Sequence, residues 1–455
     1  MAGYDCIIIG AGQAGPSLAV RMAADGQRVA IIERAQFGGT CVNTGCTPTK
    51  TLVASAYAAH MARRASDYGV IIEGPVAVDM KRVKARKDKV VAASRDGVEA
   101  SLRQTDGVTV VQGHARFVSA KDVAVGGETL TAPRIFINTG ARPAIPPIPG
   151  LDSVPYLTSS TILDLDTAPT HLVVVGGSYV GLEFAQIYRR FGSAVTVIEA
   201  APRLIGREDP EISDAVRQIL QAEGIEVRLS TRISKAGPGP RVSVQDASGS
   251  ATIEGSHLLL AVGRHPNTDD LGLENAGVAV DSRGYITVDE SLATCVPGIW
   301  AMGECNGRGA FTHTAYNDFE IVADNLLDGG RRAVSDRITA YALFTDPPLG
   351  RAGMNQEAAV VAGHRILVGT IPMSRVSRAY EKGETLGLMK LIADADTQQI
   401  LGAAILGTGG DEVVHSILDL MYAKAPYTVL QRAVHIHPTV AEFLPVLVGA
   451  LQPPE

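Results

Sequence analysis

Residues 4–33 read YDCIIIGAGQAGPSLAVRMAADGQRVAIIE. An apolar, β-favouring run at 4–9 meets a turn with Gly10, Gly12 and Gly15 in GxGxxG spacing. A helical pattern follows, then a second apolar run ending at Glu33. Each position has a physical task. Gly10 makes the tight turn, Gly12 lets the backbone approach a pyrophosphate, and Gly15 lets the helix pack on the strand. The N-terminus of that helix faces the phosphates. Glu33, 23 positions after Gly10, stands where a carboxylate accepts hydrogen bonds from a ribose. Glycines alone are a weak signal. Strand, helix, second strand and acid together predict a dinucleotide-binding unit.

The pattern returns at 171–199, HLVVVGGSYVGLEFAQIYRRFGSAVTVIE, with Gly176, Ser178, Gly181 and, again 23 positions after the first glycine, Glu199. Serine is small enough to keep the turn. Two such units predict an α/β protein with two Rossmann-like domains and two bound dinucleotides. An acid at the end of the second copy repels a 2′-phosphate, which favours NAD(H) over NADP(H), with Arg203 nearby as the counter-argument.

The Pro-rich ARPAIPPIPG (141–150) and the stretch after LLLAVGRHPNT (258–268) read as domain boundaries. From about 339 onward, alternating strands and a long helix carry no glycine fingerprint. We expect a nucleotide-binding domain at 1–149, a second at 150–266, the return of the first at 267–338, and an α+β domain at 339–455. The apolar content of the last predicts packing against a second subunit.

Net charge is −7, and the basic cluster Lys81–Lys89 reads as the solvated face of a helix, so nucleic acid is not an expected partner. No apolar run reaches the ~18–20 residues that span a bilayer. The N-terminus shows no basic region or cleavage site of a signal peptide. Five scattered cysteines do not form a secreted disulfide framework, so a reducing cytoplasm is expected.

Two of the five lie in GGTCVNTGCTPTK (38–50). Zinc wants four ligands, and no second cysteine pair exists, with His60 alone nearby; no metal site is expected. Burial as small hydrophobes suits Cys6, Cys295 and Cys305, but suits Cys41 and Cys46 poorly in a Gly/Thr/Asn-rich loop. Residues five apart on a regular helix point about 140° apart, so a bridge needs a distorted turn, which Gly45 can supply. The following helix, expected from about Pro48, places a thiol at its N-terminus, where the thiolate is favoured. A reactive pair beside two dinucleotides suggests electrons passing from nicotinamide to flavin to disulfide.

The segment resembles the redox-active disulfide motif of the class I flavoprotein disulfide reductases, which include dihydrolipoamide dehydrogenase, glutathione reductase and mercuric reductase. The likeness runs along the whole chain: Gly10–Gly15, CxxxxC, INTGARP (137–143), Gly176–Gly181, AVGRHPN (261–267), Gly303-Glu304 and HPTVAE (437–442). It implies FAD in the first unit, NAD(P)H in the second and a homodimer with a shared active site. Cys41 would be the interchange thiol and Cys46 the charge-transfer thiol under the flavin. Lys50 would sit near flavin N5 and pair with Glu183. His437, oriented by Glu442, would be the acid–base partner of Cys41. Further cofactor contacts would fall at Gly39, Thr40, Ala115, Thr139, Gly140, Gly263, Gly303 and Glu304.

The bottom-up case for His437 agrees. Thiol–disulfide exchange needs a proton donor for the leaving thiolate, and histidine suits that near neutral pH. His435 is a neighbouring decoy on the same extended segment, and His313 is a candidate contact near the flavin edge. Glu304 replaces the aspartate that the family uses on the ribityl chain. The mercuric-reductase-like branch, with its copper(II)-reducing members, is the nearest resemblance. Yet no cysteine follows Cys305, whereas mercuric reductase carries a C-terminal pair. A disulfide or small oxidant is therefore the expected substrate. Alternatives are a metal-ion reductase, dihydrolipoamide dehydrogenase, a low-turnover redox sensor and an oxidase making peroxide.

Overall fold

The computed structural model describes residues 2–247 and 249–454. The chain divides into two compact units. The first gathers the residues up to Thr51, Lys81–Ala144 and Gly263–Arg337; the second holds Leu52–Met80, Ile145–Val262 and the chain from Ile338.

In the first unit, the strands Ile299–Ala301, Arg134–Ile137, Cys6–Ile9, Val29–Glu33 and Val108–Gln112 lie side by side in that order, all parallel. This is a parallel sheet of the α/β kind whose strand order reverses between Cys6–Ile9 and Arg134–Ile137, the place where such folds bind ligands. Its central strands Cys6–Ile9 and Val29–Glu33 are buried along their whole length because both faces are covered. Ile7 and Ile9 face a core that includes Phe117, Val123, Val125 and Leu130 from a small sheet. Cys6 and Ile8 face the opposite core, with Leu18 and Met22 of the helix Gly15–Ala24 and Ile321 and Val322 of the helix Thr312–Leu327.

The second unit repeats the plan. Its parallel sheet runs Leu157–Thr158, His257–Leu260, His171–Val175, Ala194–Ile198, Glu226–Arg228. An antiparallel sheet follows, in the order Ala340–Leu343, Leu349–Gly353, Ile400–Leu406, Leu388–Asp394, Ile366–Pro372. The long helix expected from DEVVHSILDLMYAKA is Gly410–Tyr422, packed on that sheet through Val414 and Ile417. Among the described residues, no helix is long and apolar enough to cross a membrane.

Two expectations are corrected. Lys87 within the basic run is buried and paired to Asp88, so the helix Met80–Gln104 is not solvated on every basic side chain. Cys295, expected in the core, is exposed on the loop before Ile299–Ala301, where its thiol contacts Gly277 O at 3.5 Å.

The antiparallel sheet buries two cations. Arg351 and Lys390 both pair in register with Ala404 of the strand between them, so they share one face. Arg351 donates to Glu208 (2.6 Å) and Asp209 (2.8 Å). Lys390 donates to Gln356 (2.9 Å), lies 3.2 Å from Asp209 and pairs with Glu211. Removing one partner of such a buried set strands the opposite charge, at about 3–5 kcal/mol. Lys390→Met is therefore expected to lower the thermal unfolding midpoint by several degrees. Arg365→Met, which breaks the exposed pair with Asp396, should leave it nearly unchanged. Equal effects would contradict the account.

Candidate active site

Both acids expected at the strand ends grip the glycine turn of their own unit. Glu33 accepts from Ala11 N (2.8 Å) and Ala35 N (2.8 Å). Glu199 accepts from Gly177 N (2.6 Å) and Ala201 N (2.7 Å). The two copies match donor for donor. Each turn also abuts the next strand's exit. A Cβ on Gly10 (φ 103°) would lie 2.8 Å from the Asn138 carbonyl carbon, and one on Gly176 (φ 111°) 2.8 Å from that of Ala261. Gly15 and Gly181 each back onto the first glycine of their turn. Ser178 stands in an extended conformation at the N-terminus of the helix Tyr179–Phe191.

Asn138, one residue before the expected contacts Thr139 and Gly140, does unforeseen work. Its Oδ1 accepts from Gly15 N (3.1 Å) and its Nδ2 donates to Met302 O (2.9 Å). Asp318 supports the same corner: its Oδ2 accepts from Gly303 N (2.7 Å) and Asn306 Nδ2 (3.0 Å), and Arg337 holds its other oxygen. Ala115 is buried in the core beneath the sheet.

The cysteine segment is tied to the first turn. Gly38 N donates to Ala11 O (2.8 Å) and Gln13 Nε2 to Gly38 O (3.0 Å). A Cβ on Gly39 would lie 2.8 Å from Gly12 Cα. Cys41 is not in a loop but on the short helix Gly39–Thr44, and the next helix opens at Cys46, two residues before Pro48. The helical path breaks at Gly45 (φ −132°, ψ −116°), where a Cβ would sit 2.8 Å from Thr40 O. That break lets two side chains five residues apart meet. The pair is reduced, with Cys41 half-buried and Cys46 exposed. The Cys41 thiol is pushed up, first by its hydrogen bond to the Cys46 sulfur and then by burial. Cys41 thus holds its proton more tightly than a free thiol does.

Glu304 does not stand alone. Both its oxygens take Arg264 Nε (2.9 Å each), and Arg264 Nη2 reaches Thr40 Oγ1 (3.3 Å) and Ala141 O. Burial pushes the Glu304 carboxyl up, and Arg264 opposes it. Gly263 accepts from Ala144 N (3.0 Å). His313 is exposed and stacks on Phe311 at 5.4 Å. Its neighbour Thr312, not singled out in the sequence, lies 3.3 Å from Cys46 Sγ.

Lys50 follows Cys46 by one helical turn. Glu183, buried on Tyr179–Phe191, accepts from Phe344 N (3.0 Å). His437 Nδ1 lies 2.8 Å from Glu442 Oε2; the imidazole is exposed and the carboxylate largely buried. Thr439 accepts from Glu442 N (3.2 Å), fixing the turn between them. His435 is half-buried, and the flanking Val434 and Ile436 stand out from the surface. Among the described residues, no group of three or more His, Cys, Asp or Glu could hold a metal ion.

The sequence profile of the pyridine nucleotide-disulphide oxidoreductases matches residues 4–318, and that of their dimerisation domain matches 339–447. The chain belongs to this family. The probable pyridine nucleotide-disulfide oxidoreductase RclA of Escherichia coli (strain K12) is 38% identical over 449 residues, spanning 97% of this chain and 98% of that protein. The mercuric reductase of Streptomyces lividans is 36% identical over 450 residues, 97% of this chain and 95% of that one. The solved Cu(II) complex of the HOCl-induced flavoprotein disulfide reductase RclA from Escherichia coli has a TM-score of 0.89 at 37% identity, over 99% of each chain. The chain is a pyridine nucleotide-disulfide oxidoreductase, and its family uses FAD and a pyridine nucleotide.

The first turn fits FAD. At Gly10, Gly15 and Gly39 a Cβ would collide with neighbouring backbone and at Gly12 it would press on Asn138, so the turn packs this closely only with glycine; Gly140 (φ 62°) opens on free space, and Glu33 closes the end. A side chain at Gly39 meets two obstacles: overpacking against Gly12, about 1–3 kcal/mol, and a left-handed backbone, about 1–2 kcal/mol. Gly39→Val should therefore cut FAD retention by tenfold or more, read from the flavin-to-protein absorbance ratio. Gly26→Ala, left-handed but with nothing within 4 Å, is the control. Full flavin content in Gly39→Val would refute this reading of the turn.

Proposed function

We propose that the enzyme takes electrons from NADH and delivers them, through the Cys41–Cys46 pair, to a disulfide or small oxidant. The observation that carries this reading is the contact of the Cys41 and Cys46 side chains across the Gly45 break. Bound FAD supplies the relay between nicotinamide and sulfur. Gly10, Gly12, Gly15, Glu33, Gly39, Thr40, Ala115, Thr139, Gly140, Gly303 and Glu304 are assigned to its site. Gly176, Ser178, Gly181, Glu199 and Gly263 are assigned to the nicotinamide nucleotide. We also assign the domain division at 149, 266 and 338, and a cytoplasmic setting.

The chain's own residues then act in sequence. An electron pair and one proton turn the disulfide into a Cys41 thiol and a Cys46 thiolate. Because the Cys41 thiol holds its proton tightly, attack on substrate needs a base. His437, oriented by Glu442, takes that proton. The Cys41 thiolate attacks a substrate sulfur, and the first leaving thiolate takes the proton back from His437. Cys46 then attacks Cys41, restores the disulfide and releases the second half of the substrate as a thiolate, which takes its proton from water. The assembly is a homodimer, with the His437–Glu442 pair of one copy serving Cys41 of the other. The exposed Val434 and Ile436 beside His437 support a surface meant to be covered. Lys50 and Glu183 are assigned as an ion pair near the flavin. Glu199, held as an acid facing its turn, favours NADH over NADPH.

A second reading, reduction of copper(II), is favoured by the Cu(II) complex of RclA. NADH oxidation under nitrogen with lipoamide, glutathione disulfide, Hg(II) and Cu(II) offered separately discriminates the two. We expect turnover with a disulfide; turnover with metal ions alone favours the second reading. His437→Ala should leave flavin reduction by NADH intact and slow disulfide turnover by about 10²–10⁴. Undiminished turnover removes His437 from the reaction.

A further inference from the structure

Thr312 opens the helix Thr312–Leu327 and brings its hydroxyl to 3.3 Å from Cys46 Sγ. We propose that Thr312 is a catalytic residue whose hydroxyl donates a hydrogen bond to the Cys46 thiolate and so sets how readily that sulfur ionises. The proposal rests on reading Cys41 and Cys46 as the redox pair. A sulfur that must carry charge between electron arrival and disulfide closure gains from every donor aimed at it. Cys41 gives one donor, its own S–H; Thr312 gives a second that does not leave when Cys41 loses its proton. The same hydroxyl also pulls the Cys41 thiol down, against the larger effects of Cys46 and burial.

The placement of Thr312 is built rather than incidental. Phe311 N donates to Thr314 Oγ1 (3.1 Å), and Thr314 Oγ1 donates back to Phe311 O (2.8 Å), which fixes the first turn of the helix. The rings of Phe311 and His313, its neighbours in sequence, stack on each other. One and a half turns on, buried Asp318 clamps the helix to the Gly303 turn and to Arg337. A donor held this way loses little freedom on forming its bond, and so acts at nearly full strength.

The test compares Thr312→Val, which keeps shape and removes the donor, with Thr312→Ser, which keeps the donor, both as FAD-loaded dimers. Two readouts are followed against pH: the long-wavelength thiolate–flavin absorbance after two-electron reduction, and the rate of Cys46 alkylation by iodoacetamide, assigned by peptide mass spectrometry. A hydrogen bond to a charged group is worth about 1.5–3 kcal/mol, which is a tenfold or larger change in ionisation. In Thr312→Val both midpoints should therefore rise by about one pH unit or more, while Thr312→Ser stays near wild type. Wild-type midpoints in Thr312→Val overturn the proposal. An alkylation midpoint that shifts as stated while every form lacks the absorbance band upholds Thr312 and overturns the electron-transfer reading instead.

Discussion

Two sulfurs five residues apart can share a proton only if the helix that carries them is broken between them. Gly45 makes that break, and the rest of the first unit is arranged around its consequence. A carbon at that position would press on Thr40 O, so the kink excludes a side chain. Once the sulfurs meet, the half-buried Cys41 thiol is pushed up by its bond to the exposed Cys46 and by burial. The difference between the two sulfurs in burial and hydrogen bonding is thus present before any substrate arrives.

The nucleotide turn and the cysteine segment are one mechanical object. Gly39 lies on Gly12, and Gly38 bonds to Ala11, whose other neighbour is the Glu33 carboxylate. A displacement at the acid would be felt at the sulfurs through a short run of backbone contacts. The second unit uses the same acid-to-turn bond at Glu199 and Gly177 without a cysteine segment attached. The duplicated fold therefore builds both of its glycine turns by one device and joins a cysteine segment to one of them.

Much of this was legible in the sequence because the decisive features are local. The glycine turns, the acids 23 positions on, the cysteine pair and the His437–Glu442 spacing each lie within a few dozen residues. What escaped reading joins distant segments. Asn138 reaches Gly15, Arg264 reaches Thr40 and Glu304, Asp318 reaches Gly303, and Thr312 reaches Cys46. None has a periodicity or spacing of its own. Asn138 and Arg264 lie inside the motifs INTGARP and AVGRHPN, which do not tell what those side chains reach, and Thr312 sits one residue from His313. Single-residue exposure was also misread. A cysteine defaults to the core and a lysine to solvent, but Cys295 and Lys87 reverse this because loop and helix packing decide it.

The claim that Cys41 and Cys46 accept electrons is tested most directly by an anaerobic titration of the oxidised FAD-loaded protein with NADH. Each addition is followed by absorbance, beside a Cys46→Ser variant. The account predicts that the wild-type protein takes up one more electron pair per flavin than the variant before reduction is complete. Equal uptake by the two proteins would contradict it.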